Sequence, residues 1–568
     1  MNAGTIGGNV VVNITSDLTG ETGTHALNQL AESGAGNWTV KFQASGGARV
    51  VSGSNGTALI TLNGADRVTF SGEASGPDGL TLRNTGTGAT IRYMNDAVSN
   101  TLLNCVVEGG TAGSSSGVVF IGDGPVTGND NISIITSTVR DRTDAEGVPA
   151  NLIYVSGAGA GGPVNSDLAI INNQIRNFAS SGIFVDSVEN STISGNFISQ
   201  TATRSTDLVP IQLQSGTGEN VITGNTIREQ STDAAFTGMY LLNNSGTLNV
   251  SRNRIFNIDN LSPGSVAVNG LQLAGGGTLS LSIVNNMVSV VPAAPGSQVI
   301  SGVRDDRAAG SLNMYHNSVF IAGTDAASYA YFRGPGSTSS VSLIGNILFN
   351  NGNGVNSFAA ADESPGSGSW TADYNIFVGT GPAGADFFSY GGSSVGFAAW
   401  QSGTPPRDAN SIAGVHGEGP FNVANMFVSA NDLHLQTAGN NPAVNSGTDV
   451  GVSIDFDGQA RPFNGVPDIG ADEVQTAPTA AEAAIAGRVV TAEGRGIRNV
   501  RVIVSGGDLA SPVSAVTGSF GYYRVEGLRA GQTYIVSVGG KRYRFETHTR
   551  VVSLGEDALD VDFVGEPR

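Results

Sequence analysis

One residue type recurs with neighbours that few folds could accommodate. Asparagine stands at Asn173, Asn196, Asn225, Asn253, Asn286, Asn317, Asn346 and Asn375, at intervals of 23, 29, 28, 33, 31, 29 and 29 residues. This is an internal repeat with insertions of variable length. Two positions after each Asn come Ile175, Ile198, Ile227, Ile255, Val288, Val319, Leu348 and Phe377, all apolar. Three positions before the first seven come Ile170, Ile193, Ile222, Val250, Ile283, Met314 and Leu343, again apolar, with Ala372 in the eighth unit. Side chains alternate faces along a strand, so these two columns cannot both face inward on one unbroken strand. A turn must lie between them, and Asn occupies it. The residue just before Asn is Gly195, Gly224 or Gly345 in three units, as a turn with positive φ favours. A unit of about 30 residues with short strands and no helical period reads as one coil of a parallel β-solenoid. Coils stack ~4.8 Å apart, so equivalent Asn side chains would pass amide hydrogen bonds along the stack, a structural role. Propellers and sandwiches also repeat strands, roughly every 8 to 12 residues, but neither needs the same Asn in eight consecutive units.

At 568 residues the chain is too long for one ordinary core, which fits an elongated repeat or several domains. Gly occupies 81 positions, and charged residues are 13% against 39% hydrophobic, so the chain is not compositionally disordered. Its net charge of −19 argues against binding a nucleic-acid backbone. Lys41 and Lys541 are the only lysines, so a polybasic segment for anionic lipid is also missing. No run reaches the ~18 apolar residues of a membrane span. Met1 leads into NAGTIGGNVVVNI without a basic-then-apolar secretory start. That leaves an intracellular protein or a mature fragment with an added Met, and the C-terminal module described below favours the exported fragment. Cys105 is the single cysteine, so no intrachain disulfide forms, and LLNCVVEG places it as a buried core residue.

Upstream, LLNCVVEG and ISIITSTVRD read as coils in which the Asn is displaced or replaced, and ITLNGADRVTF and LTLRNTG as earlier ones. ALNQLAES places Ala26, Leu27, Leu30 and Ala31 on one helical face, which predicts a short helix over the open end of the solenoid. These coils resemble those of right-handed parallel β-helix proteins, a group with pectinases, polysaccharide lyases, phage tailspikes and large bacterial surface proteins. DYNIF, AAWQ, DANSI, DLHLQ, NPAVNSGTDVG, DFDGQARP and PDIGADE resemble the closing coils of exported bacterial β-helix proteins with a choice-of-anchor-type end. The resemblance spans residues 1–475 and implies about 15 coils, ~70 Å long at the coil spacing. Residues 476–484 are an Ala, Pro and Thr linker. Residues 485–568 alternate apolar and polar positions between Gly turns, as strands of a small prealbumin-like or Ig-like sandwich do. Through Gly487, Gly494, Gly521, Tyr523, Leu528, Gly531 and Tyr534 this segment resembles the carboxypeptidase regulatory-like domain. That resemblance implies a structural module without catalytic residues, of a kind found on exported proteins.

Chemistry is sparse. The strand GIFVD and its counterparts PIQLQ, GMYLL, GLQLA and GVRDD place Ile183, Ile211, Met239, Leu271 and Val303 inward. Phe184, Gln212, Tyr240, Gln272 and Arg304 then face outward. Asp186 and Asp306 share the next outward column, but four coils apart, about 19 Å. Paired glycosidase carboxylates stand ~5 to 9.5 Å apart. RDDR at 304–307 puts Asp305 in an inward column, so the strand ends early or Arg304 or Arg307 pairs with it. It reads either as a solvated turn with surface ion pairs or as a polar patch beside Tyr240 and Phe184 that holds a glycan, Arg304 and Asp306 included. Arg304, Asp305 and Asp306 are also the thin version of a calcium-dependent lyase site. The Asn-Thr-Asp, Gly-His-Gly and Arg-Ile-Lys patterns of polygalacturonases are absent. His25, His316, His416, His434 and His548 show no metal-ligand spacing, and His316 sits at the turn position before Asn317. DFDG begins like a calcium loop with Asp455 and Asp457, but Val466 stands where an EF-hand needs Glu. Asp449, Asp468, Asp472 and Glu473 could complete an irregular site, the alternative being a turn whose Asp side chains bond backbone amides. GAGAGG at 157–162 matches GxGxxG formally, yet no helix follows, so it reads as a coil insertion. Trp370, Tyr374, Phe387, Phe388, Tyr390 and Trp400 gather where the repeat breaks and predict packing of an insertion onto the solenoid or its far end, with carbohydrate binding the alternative.

The sequence therefore predicts a non-catalytic protein of the cell surface or extracellular space, binding glycans or adhering, or playing a structural part. No cofactor is expected unless calcium sits at Asp455 and Asp457. The alternatives are a polysaccharide lyase or glycoside hydrolase working along one β-face, and a self-associating subunit of an extracellular filament.

Overall fold

The computed structural model describes the chain apart from residues 1, 3, 74–78, 146, 158–162, 294–295, 297, 324–325, 355, 381–385, 438–439, 464, 476–481, 493, 508, 510, 530–531, 541, 555–556 and 568. It divides into two units, Met1–Val474 and Gln475–Arg568.

The first unit is a parallel β-solenoid. Three sheets run its length: a first of 13 strands, from Val10–Ile14 to Trp370–Asp373; a second of 14, from Leu18–Glu21 to Ile412–Val415; and a third of 14, from Leu27–Asn28 to Ser393–Val395. Each coil visits them in that order, so strands pair in parallel with their equivalents one coil away, except that Ser393–Val395 closes the third sheet antiparallel to Phe388–Tyr390. Both apolar columns predicted from the repeat are inward ladders. Ile170, Ile193, Ile222, Val250, Ile283, Met314, Leu343 and Ala372 are successive partners in the first sheet. Ile175, Ile198, Ile227, Ile255, Val288, Val319, Leu348 and Phe377 are partners in the second. With Ile183, Ile211, Met239, Leu271 and Val303 of the third sheet, they form one buried core.

The turn between the first two sheets is built as the spacing requires. The residue before each Asn has positive φ whatever its type: Asn172, Gly195, Gly224, Arg252, Asn285, His316, Gly345 and Tyr374 lie between 50° and 71°. The buried Asn that follows accepts from the backbone N–H and side-chain amide of the Asn one coil back. Asn225 Oδ1, for example, receives Asn196 N and Nδ2 at 2.9 Å each. Asn225 Nδ2 donates to Ile193 O at 2.9 Å and Asn253 Oδ1 at 3.0 Å. The pattern continues upstream with other residues in place: Asn173 Oδ1 receives Ser137 N at 2.9 Å, and Ser137 Oγ receives Cys105 N at 3.1 Å. Cys105 is buried, as expected.

Three expectations need correction. Among the described residues no helix covers the N-terminal end; Leu27–Asn28 and Ala31–Glu32 are short strands that pair with Leu62–Asn63 and Thr5–Ile6. Eight residues are too few to hold a helix against the backbone partners offered by a sheet edge. Among the described residues the sheets hold 13 or 14 strands each, the last of the third being an antiparallel return, fewer than the expected 15 or so coils. The closing segment is also not a further set of coils. Past Ile412–Val415 the chain folds back across the outer face of the second sheet, where a hairpin of Phe427–Ser429 and Asp432–Leu435 and the stretch around Ile469 pack on Met287, Phe320, Ile347, Phe349, Ile376 and Val378. Strands there are apolar on both faces, as MVSV and ILFN show, and a strand apolar on both faces must be covered on both. Of the aromatic residues predicted to pack, Trp370, Phe387, Phe388 and Trp400 are buried at the far end of the core, with Tyr390 edge-on to Trp400, whereas Tyr374 is a half-buried turn residue with φ 53°.

The second unit is a sandwich of two four-stranded sheets with its own core around Ile485, Val502, Tyr523, Tyr534 and Phe563. The Tyr523 hydroxyl donates to Val561 O at 2.6 Å, and Gly494 and Gly521 have φ of 79° and 83°. Gly531 and residues 476–481 of the expected linker lie outside the described residues.

Candidate functional site

Strands of the third sheet pair so that Phe184, Gln212, Tyr240, Gln272 and Arg304 occupy successive outward rungs. The column reaches further than the repeat revealed: Arg92, Phe120 and Tyr154 precede Phe184, and Phe332 follows Arg304. The rung spacing brings planar groups into contact. The rings of Tyr154 and Phe184 stack at 4.7 Å and 2°, and Phe120 meets Tyr154 at 5.7 Å. Arg92 lies 5.1 Å over Phe120, and Arg304 lies 4.4 Å over Phe332. Between these groups the stripe is polar. Gln212 Nε2 donates to Gln214 Oε1 at 2.8 Å, Gln272 Nε2 to Asp306 Oδ2 at 3.3 Å, and Arg304 Nε to the same Asp306 oxygen at 2.6 Å. Burial, with a smaller contribution from Asp306, raises the Tyr240 phenol above its ordinary value. The upstream residues escaped the sequence because the Asn register that aligned the later coils is broken at Ser137 and Cys105. The alternation of VFI and LIYVS was the available signal.

RDDR splits by strand parity. Arg304 and Asp306 face outward, with side chains 27% and 25% exposed. Asp305 and Arg307 are buried in the core, joined by Arg307 Nε to Asp305 Oδ1 at 2.8 Å and Nη2 to Oδ2 at 2.9 Å. On the same inward column Asp305 is followed by Arg333 and Asp362. Asp362 is held by Arg333 at 3.2 Å and Arg407 at 3.0 Å, all three side chains buried. Of the three candidate catalytic residues, then, Asp305 is sealed inside the solenoid and serves as counter-charge to Arg307, while Arg304 and Asp306 are a surface pair. Asp186 shares the Asp306 column through Gln214, Leu242 and Ala274, four rungs or about 19 Å away.

In the closing segment most acids hold the chain itself. Asp455 accepts from Gln459 N at 2.7 Å and Glu473 N at 3.1 Å. Asp468 accepts from Asn445 and Val474, and Glu473 from Phe463 and Asp468. Asp449 accepts from Gly451 N at 2.8 Å. Asp457 points elsewhere, with Oδ2 3.2 Å from His434 Nε2, while His434 Nδ1 contacts Asp432 Oδ1. Asp455 and Asp457, the expected calcium pair, thus have different partners. The Asp457 bond, opposed by burial and aided by Asp432, lifts His434 to about 9. His434, Asp457 and Asp472 present ligand atoms within 4.8 Å of one another, the one such trio among the described residues. Sequence reasoning joins Asp457 with Asp472 in an irregular site but leaves out His434, which 23 positions and a fold-back separate from Asp457. His316 is a turn residue with φ 50°, its Nδ1 3.2 Å from Asp468 O; burial, with the Arg461 charge, lowers it to about 3. Of GAGAGG, residues 158–162 lie outside the described residues.

Fold and stripe together place the chain in the class of parallel β-solenoids with an extended, partly aromatic outer face and a separate β-sandwich. No family model and no curated protein matches the sequence. Among solved structures, PfbA, a surface adhesin of Streptococcus pneumoniae, aligns over 57% of this chain and 82% of its own at 14% identity, with a TM-score of 0.32. The enzymatically active domain of bacteriophage CBA120 tailspike protein 2 aligns over 96% of this chain and 71% of its own at 12% identity, with a TM-score of 0.27. Among the described residues no helix is long and apolar enough to cross a membrane.

Proposed function

We propose that this is a non-catalytic exported surface protein that holds a polysaccharide or cell-surface glycan along the outward column of its third sheet. The observation that carries the reading is the run of planar side chains from Arg92 to Phe332, repeated at the spacing of the rungs with amides and the Arg304–Asp306 pair between them. Ring faces stack on the apolar faces of sugars, and amides and charged pairs bond their hydroxyls, which is how a shallow extended surface binds an extended chain. Of the carboxylates on this face, Asp186 and Asp306 are about 19 Å apart, too far to work as a paired acid and base. The C-terminal sandwich, with its likeness to carboxypeptidase regulatory-like domains, serves as spacer or anchoring module.

The test is a glycan array with the whole chain, followed by an assay for unsaturated or reducing ends on every glycan retained. Binding without turnover is expected, and Tyr154→Ala or Phe184→Ala should weaken it roughly five- to tenfold. Turnover would make the protein a lyase or hydrolase instead. An array without hits, together with concentration-dependent fibres, would favour the filament subunit.

A further inference from the structure

We propose that His434, Asp457 and Asp472 form a binding site for one divalent transition-metal ion of the zinc class, which clasps the closing segment together. The three ligands come from three stretches that only the fold-back brings together: the hairpin strand Asp432–Leu435, the turn after Asp455, and the closing run at 468–474. Each offers one ligand atom, and these atoms lie within 4.8 Å of one another. Ligand bonds of ~2.0 to 2.2 Å to a zinc-class ion need only a small inward turn of the side chains.

Three further features distinguish the trio from an ordinary surface ion pair. First, the imidazole is set as in metal sites: Nδ1 is engaged by Asp432, which orients the ring, and Nε2 faces Asp457. Asp432 is itself steadied by Arg254, at 3.3 Å. Second, Asp472 is more than nine-tenths buried, and its Oδ2 takes the Leu435 amide at 2.7 Å, which fixes the carboxylate beside the ring. Third, the local charge is unbalanced. With the imidazole neutral, as a metal ligand is, Asp432, Asp457 and Asp472 carry two negative charges beyond the one that Arg254 answers, and the neighbouring Arg461 is engaged by Glu473 and by the carbonyls of Asp468 and Gly470. A dication supplies the missing positive charge. A nitrogen ligand with two carboxylates suits zinc, cobalt or manganese, whereas calcium takes oxygen ligands, so the ion differs from the one DFDG suggests in sequence. No step of glycan binding is involved, and the site stands whether or not the third sheet binds sugar.

The test uses the whole chain, stripped with chelator and then titrated with Co²⁺ and Zn²⁺. One equivalent of metal per chain should survive dialysis, Co²⁺ should give visible d–d absorption, and Zn²⁺ should raise the melting temperature reversibly with EDTA. Asp457→Asn, at a half-exposed side chain, and His434→Gln should each abolish the spectrum and reduce affinity at least tenfold. Circular dichroism of the metal-free variants checks that they fold. The proposal is overturned if no stoichiometric metal remains, if both variants keep the wild-type spectrum, or if calcium binds equally well to His434→Gln and wild type.

Discussion

At the scale of single residues, parity along a strand decides which charges are chemistry and which are construction. Arg307 and Asp305 sit in the core, so Arg307→Met should strand a buried carboxylate and cost about 3 to 5 kcal/mol in chemical denaturation. Asp306→Asn breaks a partly exposed pair and should cost less than about 1 kcal/mol. If Asp305 and Asp306 were an enzyme's acids, substitution would instead affect turnover before stability. His316 makes stability depend on pH. Its folded value is about 3 against an ordinary 6.5, so between those values the unfolded chain binds the proton and the folded one does not. Stability should therefore fall as pH drops from about 6.5 towards 3, by at most roughly 1.4 kcal/mol per pH unit from this group. His316→Asn, which tolerates the same positive φ, should flatten that slope in a pH series of melts.

At the scale of elements, the Asn turn carries the solenoid. Asn225→Ala removes the acceptor for two Asn196 donors and the donor to Ile193 O, all buried, and should cost about 3 kcal/mol or more. Asn225→Ser should cost about half as much, because Ser137 shows that a hydroxyl at this position still receives the amide from the coil before it. Equilibrium unfolding of the two variants checks the order. These turns were legible in sequence because one position per coil admits one solution: the preceding residue takes positive φ and the Asn bridges coils. The third sheet from Phe184 to Arg304 followed by counting from that anchor. Phe120, Tyr154 and Arg92 did not, since Cys105 and Ser137 replace the Asn that would have aligned them. The closing segment stayed illegible for another reason. Its partners, Met287, Phe320 and Phe349, lie in coils about 70 or more residues earlier, and nothing local to DLHLQ or DFDG encodes which face they meet. The same holds for His434 and Asp457. A helix was expected at residues 26–31 because a pattern of four apolar residues fits two periods, and the neighbouring strand edge, invisible in sequence, decided between them.

At the scale of the whole molecule the core clusters of Met1–Val474 share no residue with the one in Gln475–Arg568. Calorimetry should resolve two transitions, and a fragment of residues 482–568 should melt cooperatively at the temperature of one of them. Within the solenoid the Asn ladder has a polarity. From Asn173 to Asn346 each side-chain nitrogen donates to the oxygen of the next coil, so the amides align head to tail. The last, Asn375, donates at 3.0 Å to the carboxylate of buried Asp408, which Ser411 and Trp400 also bond. Aligned amides sum as peptide dipoles do in a helix, with their positive pole at the donor end. The solenoid is thus a one-way row of dipoles with an anion set against its positive pole, and its two ends are electrically unlike.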